Sequence, residues 1–151
     1  MNRLARWTLP YAPLARRVLP LAALVTLVAI GLQFVFAGIG VFGASIAGLS
    51  GFDAHYVLGG VIHALFGLLL AAALVGRQPR SALGINAALF VIASVMMALP
   101  RASEADLRAF HPLGALLVFW LTYVVYQRGR AVERATVAEE APEARAVAAS
   151  R

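Results

Sequence analysis

Three histidines, His55, His63 and His111, are the side chains of this sequence best equipped for chemistry. Each lies in or beside a long apolar run. Two methionines, Met96 and Met97, close a third run, and Arg108 stands one helical turn before His111. Imidazole moves protons near neutral pH and is the commonest protein metal ligand. An ionisable side chain inside an apolar span is a functional hypothesis by default. His63 is the deepest in its run, with Gly59, Gly60 and Gly67 at i−4, i−3 and i+4, and His111 has Gly114 and Ala115 at i+3 and i+4. Small residues beside an imidazole make room for something large and flat, or simply for a neighbouring helix.

Two imidazoles facing each other across a helix bundle are the axial ligands of a b-type haem, and bundle interiors are where such sites are built. Depth selects the pair. Measured back from Arg77, His63 is 14 residues away and His55 is 22, and His111 is 17 residues from Arg128. At ~1.5 Å per residue these are ~21, ~33 and ~25 Å. Counting from those arginines therefore pairs His63 with His111, whereas counting from the opposite ends pairs His55 with His111. The arginine count is preferred because Pro112 blurs the other end of the last run. On this reading His63 and His111 ligate haem iron or another metal. His55 is a third candidate, Arg108 faces a propionate or snorkels, and Gly60 and Gly114 clear the space. Neutral imidazole is the state that ligates. Thioether with imidazole suits copper, but methionine in an apolar helix is far more often plain packing.

Other chemistry is excluded. The chain has no cysteine, which removes disulfides, thiolate metal sites, iron–sulfur clusters and covalent c-type haem. It has no Walker loop, no metalloprotease motif and no credible serine–histidine–carboxylate spacing. It has no carboxylate within its apolar runs for a pump-type proton relay. No enzyme class is indicated.

The elements that must position these residues are membrane helices. The chain has 151 residues, 62% of them hydrophobic and 13% charged, against about 25% charged in a soluble domain. Four stretches lack any charged residue: 18–52, 54–76, 81–100 and 109–127. Each reaches the ~20 residues needed to cross the hydrocarbon core. The helices are expected at 20–43, 55–76, 82–99 and 105–127. Pro20 opens the first, "GASIAGLSGFD" forms a turn with Asp53 as N-cap, and Ser81 caps the third. Pro100 ends the third, and "SEAD" (103–106) resembles a capping box that extends the fourth outward. Gln33, Asn86 and Ser94 are the polar residues available for bonds between helices. A signal peptide is disfavoured, because the first apolar run exceeds the usual h-region and lacks a small-x-small cleavage site.

The net charge of +6 comes from 13 basic residues, all arginine, against 7 acids. The arginines gather at the ends of the apolar runs, which is a topology signal rather than a nucleic-acid patch. Arg3, Arg6, Arg16, Arg17, Arg77, Arg80, Arg128, Arg130 and Arg134 mark one side. Only Arg101 and Arg108 fall on the other. The positive-inside rule then makes both termini cytoplasmic. The expected organisation is a cytoplasmic segment (1–19), an all-α integral membrane four-helix up-down bundle (20–127) and a flexible or weakly helical tail (128–151). The expected partners are the lipid bilayer and a redox or assembly protein in the membrane, with no nucleic acid.

"LQFVFAGIGVFG" (32–43), "FDAHYVLGGVIH" (52–63) and "FHPLGALLVFW" (110–120) resemble an uncharacterised family of small bacterial four-span membrane proteins over residues 20–127. That family looks like four helices with one histidine opening the second, another deeper in it, and a His-Pro opening the fourth. The resemblance implies a bacterial inner-membrane, multi-pass location and supplies no activity. The histidines are also broadly similar in arrangement to four-helix b-type cytochromes, except that a two-haem member needs four ligands. Two functions follow. One is a haem b electron-transfer or sensing subunit using His63 and His111. The other is a non-enzymatic assembly partner or small-molecule binder whose histidines make interhelical hydrogen bonds.

Overall fold

The computed structural model describes residues 9–99 and 109–149, with only the helical course of the backbone for 136–149. Among the described residues four helices carry the chain: α1 (Ala12–Val41), α2 (Gly51–Val75), α3 (Arg80–Ala98) and α4 (His111–Ala149). A 3-10 turn, Leu9–Tyr11, leads into α1. A minimal antiparallel hairpin, β1 (Ser45–Ile46) and β2 (Leu49–Ser50), joins α1 to α2.

Three of these segments, Leu9–Val41, Gly51–Val75 and Arg80–Ala98, are long and apolar enough to cross a membrane. The fourth is more polar at both ends of its apolar stretch, with His111 and Pro112 at the start and Tyr123, Tyr126 and Gln127 before Arg128. Large apolar side chains also cover the outside, among them Val28, Leu32, Val57, Val61, Val91 and Trp120. Helices that are apolar all round need an apolar surrounding.

The inward faces follow a 3–4 spacing. On α1 the buried residues include Ala12, Ala15, Leu19, Ala22, Thr26 and Ala29. On α2 they include Ile62, Phe66, Leu69 and Ala73, on α3 Asn86, Leu89 and Ala93, and on α4 Val118, Thr122 and Val125. Alternating steps of three and four keep one stripe facing the partners of a bundle packed at a shallow angle. α1 packs on α2 and α4, and α3 packs on the same two helices. Among the described residues three polar side chains are fully buried and bond within their own helices: Thr26 donates to the Ala22 carbonyl, Thr122 to that of Val118 and Asn86 to that of Ala82, while Asn86 Oδ1 has no partner.

The connections depart from the expected ones for local reasons. α1 ends in a Schellman motif, with Gly43 at φ +68°, Gly43 N–H bonded to the Gly40 carbonyl and Ala44 N–H to that of Ile39. Ala47 and Gly48, both at positive φ, make the two-residue turn that a right-twisted hairpin favours. Ser50, not Asp53, is the N-cap of α2: its hydroxyl accepts from Asp53 N–H at 3.1 Å and donates to the Asp53 carboxylate at 2.6 Å. Four residues that were expected in the loop thereby join the helix. Ser81 caps nothing, because α3 already starts at Arg80 after Pro79. Pro20 lies inside α1, and Pro13 takes the tolerated first-turn position. The segment after Arg128 continues α4 as helix to Ala149, in keeping with its Ala, Glu and Arg content. "SEAD" lies outside the described residues.

Candidate functional site

Extending each buried stripe toward the hairpin places polar side chains on it. On α1 the stripe runs from Thr26 through Ile30 to Gln33. On α2 it runs back from Phe66 and Ile62 to Gly59 and His55. It reaches Met96 on α3 and begins at His111 on α4. These residues meet at the end of the bundle that carries the hairpin. Two adjoining cavities lie there, both bordered by Gln33, Gly59, Met96, Met97 and His111. The outer one, about 160 Å³, is completed by His55 and Tyr56. The inner one, about 80 Å³, adds His63 among apolar neighbours such as Ile62, Phe66 and Val118.

His55 is held by its backbone and its ring. Its Nδ1 stands 3.0 Å from the Gln33 carbonyl, and its own carbonyl accepts from Gln33 Nε2 at 2.8 Å. A carbonyl oxygen only accepts, so Nδ1 carries the proton and Nε2 keeps its lone pair. The His55 and His111 rings lie 6.0 Å apart between centroids, tilted by 58°. His111 Nδ1 is buried without a hydrogen-bond partner. The Met96 backbone carbonyl is within hydrogen-bonding reach of the His111 ring. The chain explains why that carbonyl is available: four residues on stands Pro100, which has no N–H to offer it. His63 rests on Phe90 of α3, ring centroids 4.9 Å apart, and its Nδ1 is also buried without a partner.

The glycines divide differently from expectation. Gly60 points outward, with nothing within 4 Å of where a Cβ would stand. Gly59, beside it, faces inward: a Cβ there would lie 3.1 Å from Gln33 Nε2 and 3.4 Å from the Met97 sulfur. The added heptad phase gives the signal, since Gly59 is seven residues before buried Phe66. Gly114 makes room for the Met96 thioether, which a Cβ would strike. Arg108 lies outside the described residues.

His55, His63, His111 and Gly114 thus lie at one end of the bundle, with the histidines paired otherwise than expected, while Gly60 faces away. His111 contacts His55 and shares only the inner cavity with His63. The two unpartnered imidazole nitrogens there are a donor set that haem accepts, but the space is not: about 80 Å³ compares with roughly 300–1,000 Å³ for small-molecule pockets. A macrocycle needs α2 and α4 to part. Among the described residues no group of three or more His, Cys, Asp or Glu side chains is placed to hold a metal ion.

Residues 33–103 match a family of unknown function, DUF6220. The match fits the expected uncharacterised family over a shorter stretch. It takes in Gln33, His55, His63, Met96 and Met97 and stops before His111. No curated protein and no solved structure matches the chain.

Proposed function

We propose that this chain is a non-enzymatic, four-span inner-membrane protein with both termini in the cytoplasm, which binds a small ligand in the histidine-lined end of its bundle. The observation that carries this reading is the pair of buried imidazole nitrogens, Nδ1 of His63 and Nδ1 of His111, without partners on one apolar cavity. A buried polar atom left unpaired costs on the order of 1–3 kcal/mol, and a ligand that bonds it recovers that cost. His55 serves differently, tying α1 to α2 through Gln33. A span for α4 is supported by its packing on α1 and α3 and by its uncharged stretch 109–127.

Native mass spectrometry of the full chain, purified in detergent from haem-replete cells, tests this. The expected result is a bound small mass that His63→Ala and His111→Ala each remove. A Soret band lost in the same two variants identifies the occupant as haem b, in a bundle wider than the one described. Wild-type protein that carries neither a bound mass nor a Soret band overturns the reading.

A further inference from the structure

We infer that the outer cavity is a site for one soft monovalent metal ion, copper(I), held by His55, His111 and the thioether of Met96. This rests on the reading of the bundle end as a ligand site and names a chemical class for its outer half.

Four observations converge. Both imidazoles and Met96 border the same cavity of about 160 Å³, which is ample for an ion. The ring centroids are 6.0 Å apart, and an ion bonded at ~2.0 Å to one nitrogen of each imidazole sets the centroids about 6 Å apart. The Gln33 carbonyl fixes His55 with its proton on Nδ1 and its lone pair on Nε2. A backbone carbonyl on the far ring nitrogen is the usual orienting partner of a metal-bound histidine. On His111, Nδ1 is buried and unpartnered, so it is free to bind an ion.

The donor set then selects the ion. Zinc sites take at least three ligands from cysteine, histidine and carboxylate, and no such trio is placed among the described residues. Magnesium and calcium need oxygen donors. Two imidazoles and a thioether on an apolar wall suit a soft ion of low charge, and thioether ligands favour copper(I). A single positive charge also costs less to bury than two. Gly114 is part of the site because the Met96 thioether lies against it.

The test is competition for copper(I) between bicinchoninate and the purified full chain in detergent. One equivalent per chain is expected, with affinity lowered about tenfold or more in His55→Ala, His111→Ala and Met96→Leu. Ser94→Ala, on the same helix as Met96 and bonded only to its own helix, keeps the wild-type affinity. Met96→Leu is nearly isosteric and removes only the sulfur, so it separates a lost donor from a lost fold. X-ray absorption of the loaded protein should show sulfur in the first shell, absent in Met96→Leu. Wild-type protein that takes no copper(I) overturns the assignment. So does affinity as sensitive to His63→Ala as to His55→Ala, which would put the ion in the inner cavity. If copper(I) fails while a bound mass still depends on His63 and His111, this inference falls and the proposed function stands.

Discussion

Gln33 and His55 bond each other twice across the α1–α2 interface: the amide of one donates to the backbone of the other, and the imidazole returns the bond to the first residue's carbonyl. Neither bond is local, since 22 residues separate the partners. The pair fixes the register of the two helices just inside the hairpin. Interhelical hydrogen bonds of this kind are worth about 0.6–2 kcal/mol. Gln33→Leu should therefore lower the unfolding free energy in mixed micelles by about 1 kcal/mol. The loss is limited because Gln33 Oε1 is buried without a partner and leucine removes that liability too. Leucine removes only the amide bond and keeps the carbonyl that meets the His55 ring, so a loss above about 3 kcal/mol would mean that the Gln33 side chain does more than make that one bond.

The backbones of α1 and α2 come close beside the hairpin, where a Cβ on Gly51 would run into the backbone of Gly40. Helix backbone cannot yield as a flexible side chain can. Gly51→Ala should cost about 1–3 kcal/mol by overpacking. Gly60→Ala should stay within about 0.5 kcal/mol of wild type, because the added methyl meets nothing. Equal effects of the two substitutions on thermal unfolding would contradict the assignment of helix faces.

The helices were legible because uncharged runs of this length have few other fates, and the glycine turns punctuate them. The pairing of His55 with His111 was legible from the ends opposite the arginines, and the arginine count passed over it for a reason of level. Counting back from Arg77 and Arg128 assumes that both arginines lie at one depth. Arg16 bonds the Gly76 carbonyl, whereas Gly129 packs on Pro20, four residues further along α1. Arg128 therefore sits ~6 Å deeper in the bundle than Arg77. Correcting for that brings His111 to the level of His55. Glycine faces failed for a related reason: Gly59 and Gly60 both lie within a turn of His63, and only the phase of the buried stripe separates them. The Ser50 cap was hidden because Asp53 alone also fits an N-cap.

Topology can be tested on a chain free of cysteine. Ser50 is a poor place for a probe, since its hydroxyl caps α2. Ile46→Cys in the hairpin is better, because that side chain is exposed. Its counterpart is Ser81→Cys, in the first turn of α3. With both termini cytoplasmic, a membrane-impermeant maleimide added to intact cells should label residue 46 and spare residue 81, and inverted vesicles should reverse the pattern. Labelling of both from one side would remove α2 as a span.

Gly114 offers a way to move Met96 without cutting it. A methyl at residue 114 would meet the Met96 sulfur and approach its methyl carbon at 3.0 Å. A methionine has three rotatable bonds and adapts at low cost, so Gly114→Ala should displace the thioether while changing stability by less than about 1 kcal/mol. Methyl-labelled methionine gives a direct readout. The Met96 resonance should shift strongly and the Met97 resonance less, since the three atoms nearest the added methyl all belong to Met96. Copper(I) affinity should fall as far as in Met96→Leu, because a thioether turned away from the two imidazoles donates no better than one removed. An unshifted Met96 methyl would show that the gap beside Gly114 is wider than described. A shifted methyl with wild-type copper(I) affinity would exclude the thioether as a ligand and leave the two histidines as the whole donor set.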